Sequence, residues 1–354
     1  MGRTVSAEHP TSPELSRALA DANGKVRRGQ SHEARGEFYA ALACYDEAIA
    51  LISTLPAAAE SCRALALAWM NRGNALRKKS TRVALSAAVC AYDRAIALFA
   101  SLAAAVPGDH ALGNSLGAAH LNRASALLAL DAERAGADAL ASADRAIATL
   151  RSLPLETNFF YRTNLAGAWL NRASALLAID LEIARMSARI ALDLVACAAS
   201  DHMAAADVAL GARRTLLAII GRELSAPCAD AARLLAEASD LIDDGLALAR
   251  LWEVRRVTAF RPAAAQLFHV GAVLYASHQP HFLVEFLDEN HALARELPTV
   301  VQRMLARARR TAHERCLVAG AAEPISRTFM TLADLAAIAE RLATLGSTAS
   351  RLPT

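Results

Sequence analysis

Three stretches of this chain read almost alike. Residues 68–79 are AWMNRGNALRKK, residues 119–130 are AHLNRASALLAL, and residues 168–179 are AWLNRASALLAI. They start 51 and 49 residues apart. A second string follows the first two, AYDRAIAL from Ala91 and SADRAIAT from Ser142, and an earlier relative, CYDEAIAL, starts at Cys44. Pro56, Pro107 and Pro154 recur in the same phase. Independent markers with one shared period of about 49 residues are the signature of internal repeats.

Each unit reads as a helical hairpin. Over residues 60–79, Leu65, Ala68, Trp69, Ala75 and Leu76 follow i, i+3, i+4 spacing. Over residues 83–106, Ala84, Ala88, Ala91, Tyr92, Ala95 and Phe99 do the same. The prolines fall after the second helix, because proline cannot continue one. A lone amphipathic hairpin cannot bury its stripe, so neighbouring hairpins must stack, and the expected architecture is an all-α solenoid. Composition agrees: 86 of the 354 residues are alanine, the best helix former. Sparse β-branched and aromatic residues disfavour a sheet fold.

The pattern resembles the tetratricopeptide repeat, whose signature is W-x2-L-G-x2-Y, then A-x3-F, then P. The second unit reads Trp69, Arg72, Gly73, Leu76, Ala88, Tyr92, Ala95 and Pro107. The third reads His120, Arg123, Ala124, Leu127, Ala139, Ala143, Ala146 and Pro154. The fourth reads Trp169, Arg172, Ala173, Leu176, Ala184, Ala188 and Ala191, and the first Arg28, Gly29, His32, Ala41, Tyr45, Ala48 and Pro56. The units here are longer than the family's 34 residues, with three extra residues expected in the hairpin turns of the second and third. The domain reading is a tail over 1–20, a repeat array over 21–250 and a tail over 347–354. The array's units are 22–56, 60–107, 111–154, 161–200 and 204–250. A helical cap or degenerate repeats occupy 251–346, with helices over 262–277, 281–296, 298–318 and 324–345. Arg303, Arg307, Arg309, Arg310 and Arg315 supply a polar outer face there.

What the resemblance implies about function is a concave groove lined by the first helix of each hairpin. By the family's phase the groove carries Met70, Asn71, Asn74, Arg77 and Lys78 from the second unit. Leu121, Asn122, Ser125 and Leu128 follow from the third, and Leu170, Asn171, Ser174 and Leu177 from the fourth. The wall is cationic at one end and apolar in the middle. It suits a helical or extended protein or peptide partner with acidic residues. In relatives that hold the C-terminal peptides of chaperones, the Asn of an N-R-S or N-R-A string contacts the peptide carboxylate. Asn71 would be that contact, but the helper positions hold Val26, Gln30, Ala118 and Asn122.

The same Asn-Arg strings have a structural reading. An acid recurs on the second helix at Asp46, Asp93 and Asp144. Arg28 with Asp46, Arg72 with Asp93 and Arg123 with Asp144 are expected to form a ladder of ion pairs that fixes register. Arg189 takes the acid's place in the fourth unit and should break it.

Other classes find less support. A net charge of +3 and the absence of interleaved aromatics argue against nucleic acid. Residues 262–284 lack Asp, Glu, Lys and Arg, but their polar second half reads as a buried helix ending near Ser277, not a membrane span. No G-x-S-x-G, Walker A or G-x-G-x-x-G string occurs, so no enzyme chemistry and no cofactor are expected. His269, His278, His281 and His291, with Glu285, Asp288 and Glu289, offer the one metal-enzyme alternative. Cys44, Cys62, Cys90, Cys197, Cys228 and Cys316 form no C-x-x-C pair and read as small buried hydrophobes in a reducing, cytoplasmic setting. The start MGRTVSAEHPTSPEL has no secretory apolar run, although Gly2 and Ser6 fit a myristoylation pattern. A ligand-responsive regulator and a secreted effector are the alternatives to a peptide-binding scaffold.

Overall fold

A computed structural model describes residues 12–224, 230–255, 257–278, 286–287 and 289–294. These residues form helices joined by short turns, with no strand among them. The chain divides into two compact units between Val195 and Ala196.

The first unit is a solenoid of four consecutive hairpins. They are α1 (Ser12–Ala34) with α2 (Phe38–Ser53), α3 (Ala59–Lys78) with α4 (Arg82–Ala105), α5 (His110–Asp131) with α6 (Gly136–Leu150), and α7 (Phe159–Leu176) with α8 (Leu181–Val195). Each hairpin packs on the next through its second helix: α2 on α3, α4 on α5, α6 on α7. Local chemistry sets the helix starts. The Thr81 hydroxyl accepts from the Ala84 N–H, Asp109 from Ala111 and Leu112, and Asn158 from Phe160 and Tyr161. Such caps satisfy donors that the first turn leaves orphaned. Between α1 and α2 the chain reverses at Gly36, whose φ of 76° a residue without Cβ adopts at little cost.

The alanines explain why the hairpins close so tightly. Ala41, Ala88, Ala139 and Ala184, and again Ala48, Ala95, Ala146 and Ala191, sit in the interhelical seam and are all fully buried. Larger side chains seal the joints between units. Leu19, Ile49 and Ile52 meet Ala64 and Ala68, and Phe99 and Leu102 meet Leu112 and Ala119. In the second unit of the repeat the three extra residues lengthen the start of α4, not the turn. That turn is residues 79–81, as short as residues 35–37 between α1 and α2.

The second compact unit holds the fifth hairpin, α9 (Met203–Glu223) with α10 (Ala231–Val254), followed by α11 (Arg261–His278) and the short α12 (His291–Ala294). Pro262 is the second residue of α11, one position later than the expected first. Gly245 lets α10 approach α11 closely, since a Cβ there would lie 2.6 Å from the Leu267 side chain. The helices expected at 298–318 and 324–345, and the arginines of 303–315, lie outside the described residues. Among the described residues, one helix, α4, is long and apolar enough to cross a membrane, and it is packed within the hairpin array. The cysteine reading needs correction. Cys44 and Cys62 are half-buried, but Cys90 and Cys197 are exposed, because each falls on the outward side of its helix or turn; Cys228 and Cys316 lie outside the described residues.

Candidate functional site: the layer of first helices

In the first unit the first helices neighbour one another, α1 with α3, α3 with α5, and α5 with α7. The second helices do not pack on each other to a comparable degree. The first helices are therefore the inner layer of the stack, and the second helices the outer one.

Two polar staircases tie the layers together. The outer one starts from the arginine of each Asn-Arg string. Arg72 Nε donates to Asp46 Oδ1 at 2.6 Å, Arg123 Nε to Asp93 at 2.6 Å, and Arg172 Nε to Asp144 at 2.8 Å. The expected pairing is thus displaced by one unit. Each arginine reaches back to the acid of the preceding hairpin, not to that of its own. The geometry gives the reason. A first helix packs against both its own partner and the partner of the hairpin before it. Its own side is occupied by Ser142 and Ser187, which accept from Arg123 Nη1 and Arg172 Nη1 at 2.7 and 2.8 Å. Arg28 has no described hairpin before it and does not pair with Asp46; its charge acts on Glu47 instead. Arg172, not assigned a partner from sequence, completes the third rung. The cations also lie over indole rings: Arg72 is 5.6 Å from Trp69, and Arg172 is 5.5 Å from Trp169.

The inner staircase starts from the asparagines. Asn122 Nδ2 donates to Asn74 Oδ1 at 3.2 Å. Asn171 Nδ2 donates to Ser125 Oγ at 2.8 Å and to the Leu121 carbonyl at 2.9 Å. Each amide therefore grips the first helix of the previous unit. Asn71, the residue aligned with the chaperone-peptide contact, makes no hydrogen bond among the described residues.

The residues assigned to the groove all lie on this inner layer, and all but Lys78, which is exposed, are half-buried. They do not play one role. Asn74, Asn122, Ser125 and Asn171 are taken up by the staircase. Ser174 bonds back to the Leu170 carbonyl of its own helix at 3.0 Å. Met70, Leu121 and Leu128 lean against the clusters beneath them. Lys78 Nζ reaches Glu33 Oε1 at 2.8 Å. Glu33 Oε2 accepts from the Tyr45 hydroxyl at 3.0 Å, and the Tyr92 hydroxyl donates to Asn74 at 2.8 Å. Burial pushes the Tyr92 hydroxyl up to about 12, while the Arg77 charge and a hydrogen bond from its guanidinium pull the other way. Arg77 Nε itself is enclosed and has no acceptor. Glu33, Arg77, Leu128 and Leu177 hold the same register in the four units. The strip therefore runs from acidic to cationic to apolar.

Sequence reasoning missed the one-unit offset, Ser142 and Ser187 as second acceptors, and the Tyr–Glu and Tyr–Asn bonds. A signal for the offset was present. Across the four units the arginine register is filled four times, by Arg28, Arg72, Arg123 and Arg172, but the acid register only three times, and the unit without an acid still has Arg172.

The second compact unit offers a cleft of about 340 Å³ among Leu246, Arg250, Val257, Ala264, Asn290 and Leu293. Arg250 Nη2 donates to Asn290 Oδ1 at 2.5 Å across it. The side chains of His269, His278, His281 and His291 lie outside the described residues. No cluster of His, Cys, Asp and Glu that could hold a metal ion occurs among the described residues.

No known protein-family profile matches this chain, and no curated protein matches it either.

Proposed function

We propose that the protein is a binding scaffold of the tetratricopeptide kind, whose inner helical layer receives an amphipathic peptide segment carrying acidic residues. The stacked hairpins and the resemblance of the unit sequence support this reading. Arg77 carries it. After the two staircases have used their asparagines and serines, Arg77 keeps an enclosed, unpaired Nε on a half-buried side chain. A buried donor without an acceptor costs on the order of 1–3 kcal/mol, and turning the guanidinium outward onto a ligand carboxylate removes that cost. Leu128 and Leu177 continue the same register with apolar surface, which fits the other face of an amphipathic helix or an extended strand. The affinity would come from apolar burial along α5 and α7, and the orientation from the charge at α3.

Peptides selected from a random display library on the full chain test this. The expected winners pair acidic residues with leucine-like ones. Arg77→Leu installs the residue type that the third and fourth units carry at this register, so the fold should tolerate it. It should weaken the selected peptides at least tenfold, about 1.4 kcal/mol. Selection of no peptide, or unchanged affinity for Arg77→Leu, would refute the proposal.

A further inference from the structure

The hairpin turns of the first unit lie along one edge, in register. Lys78 at the end of α3 bridges to Glu33 near the end of α1, and Lys79 Nζ sits 3.7 Å above the ring of Tyr39 at the start of α2. Charge is distributed unevenly along this edge. Residues 77–83, at the second turn, hold four cations and no acid. Residues 131–138, at the third turn, hold three acids and one cation. The two outer turns hold both signs, Arg35 with Glu33 and Glu37 at the first and Arg185 with Asp180 and Glu182 at the fourth, and they add exposed apolar groups. Tyr39 is 79% exposed near the first turn, and Ile179 is 65% exposed at the fourth. Val83, beside the cationic turn, is 81% exposed. Single exposed apolar residues are ordinary, and three of the six large ones in this unit fall on this edge.

We propose that this edge is an interface for a second copy of the chain, paired antiparallel about a two-fold axis between the second and third turns. That operation sets Lys79 and Arg82 of one protomer against Glu133 and Asp138 of its partner. It also sets Tyr39 against Ile179. A two-fold axis makes every such contact twice, so one polar edge becomes self-complementary. A net charge of only +3 leaves little long-range repulsion to oppose association. The inner helical layer faces elsewhere, so dimerisation leaves the proposed peptide groove open. The two readings fail separately.

Sedimentation of the full chain provides the test. At tens of micromolar and low salt the species should have twice the 37.4 kDa of one chain, and molar salt should return it to one chain. K79E/R82E alone and E133K/D138K alone should each be monomeric, with far-UV melting showing that both remain folded. An equimolar mixture of the two variants should recover the dimer, because each reversed residue then meets an opposite charge on the other variant. A wild type that stays monomeric, or either reversal variant that keeps the dimer, overturns the proposal. If a variant fails to fold, the salt response of the wild type decides: a dimer that persists in molar salt overturns it.

Discussion

Gly73 and Tyr92 form a matched pair. A Cβ at Gly73 would lie 2.6 Å from the Tyr92 ring, and one at Gly29 would lie 2.5 Å from Tyr45. In the third and fourth units the same two registers hold Ala124 with Ala143 and Ala173 with Ala188, all fully buried. A ring against a bare backbone and two methyl groups are two solutions to one spacing, as expected of close-packed interiors. A second register shows the opposite behaviour. Trp69 and Trp169 occupy it in two units, and His120 in the third, 8% exposed. Burial, followed by the charges of Arg145 and Arg123, lowers the His120 imidazole from 6.5 to about 4. The folded protein therefore holds this histidine neutral at acidities where the unfolded chain protonates it. Stability should fall as pH drops from 6.5 towards 4, by roughly 2–3 kcal/mol from this residue. Denaturation of the wild type and of His120→Trp at pH 7 and near pH 4.5 checks the sign. The wild type should lose more stability on acidification than the variant, and equal losses would contradict the assignment.

At the scale of elements, the Asn-Arg string is a staple between hairpins. Asn122 and Asn171 grip the preceding first helix, and all three arginines grip the preceding second helix. The acids are about half exposed, so each pair contributes modestly, on the order of 0.5–1 kcal/mol. The value of the arrangement is register: only one stacking offset satisfies all three rungs. A double-mutant cycle separates this from the pairing expected on sequence grounds. Arg123→Ala with Asp93→Ala should show a coupling of about 0.5–1 kcal/mol, and Arg123→Ala with Asp144→Ala close to none. Helix existence was legible in the sequence, because alanine seams, caps such as Asp109 and Asn158, and the prolines each leave a local mark. The offset of the ladder was not legible. It depends on which helix the arginine side chain faces, and a first helix touches two second helices at equal sequence cost. The groove was legible as a set of positions, but not in its division of labour. Nothing local distinguishes an asparagine that binds its neighbour, such as Asn171, from one that does not, such as Asn71.

At the scale of the molecule, the ladder and the division of the chain coincide. Asp144 supplies the last rung, and α8 carries Arg189 in the acid's register. The next arginine of comparable placement, Arg213, pairs within its own hairpin with Asp244 at 3.4 Å. The chain separates into its two compact units at this point, after Val195. The first unit holds a layer of four inner helices, internally stapled, and the proposed function gives Met70, Arg77, Leu128 and Leu177 of that layer to the peptide. A photo-reactive version of a display-selected acidic peptide, cross-linked to the full chain and mapped residue by residue, tests that claim most directly. The adducts should fall on α3, α5 and α7, at or beside Met70, Arg77, Leu128 and Leu177. Adducts confined to the outer faces of α2, α4, α6 and α8, or to the second compact unit, would contradict it.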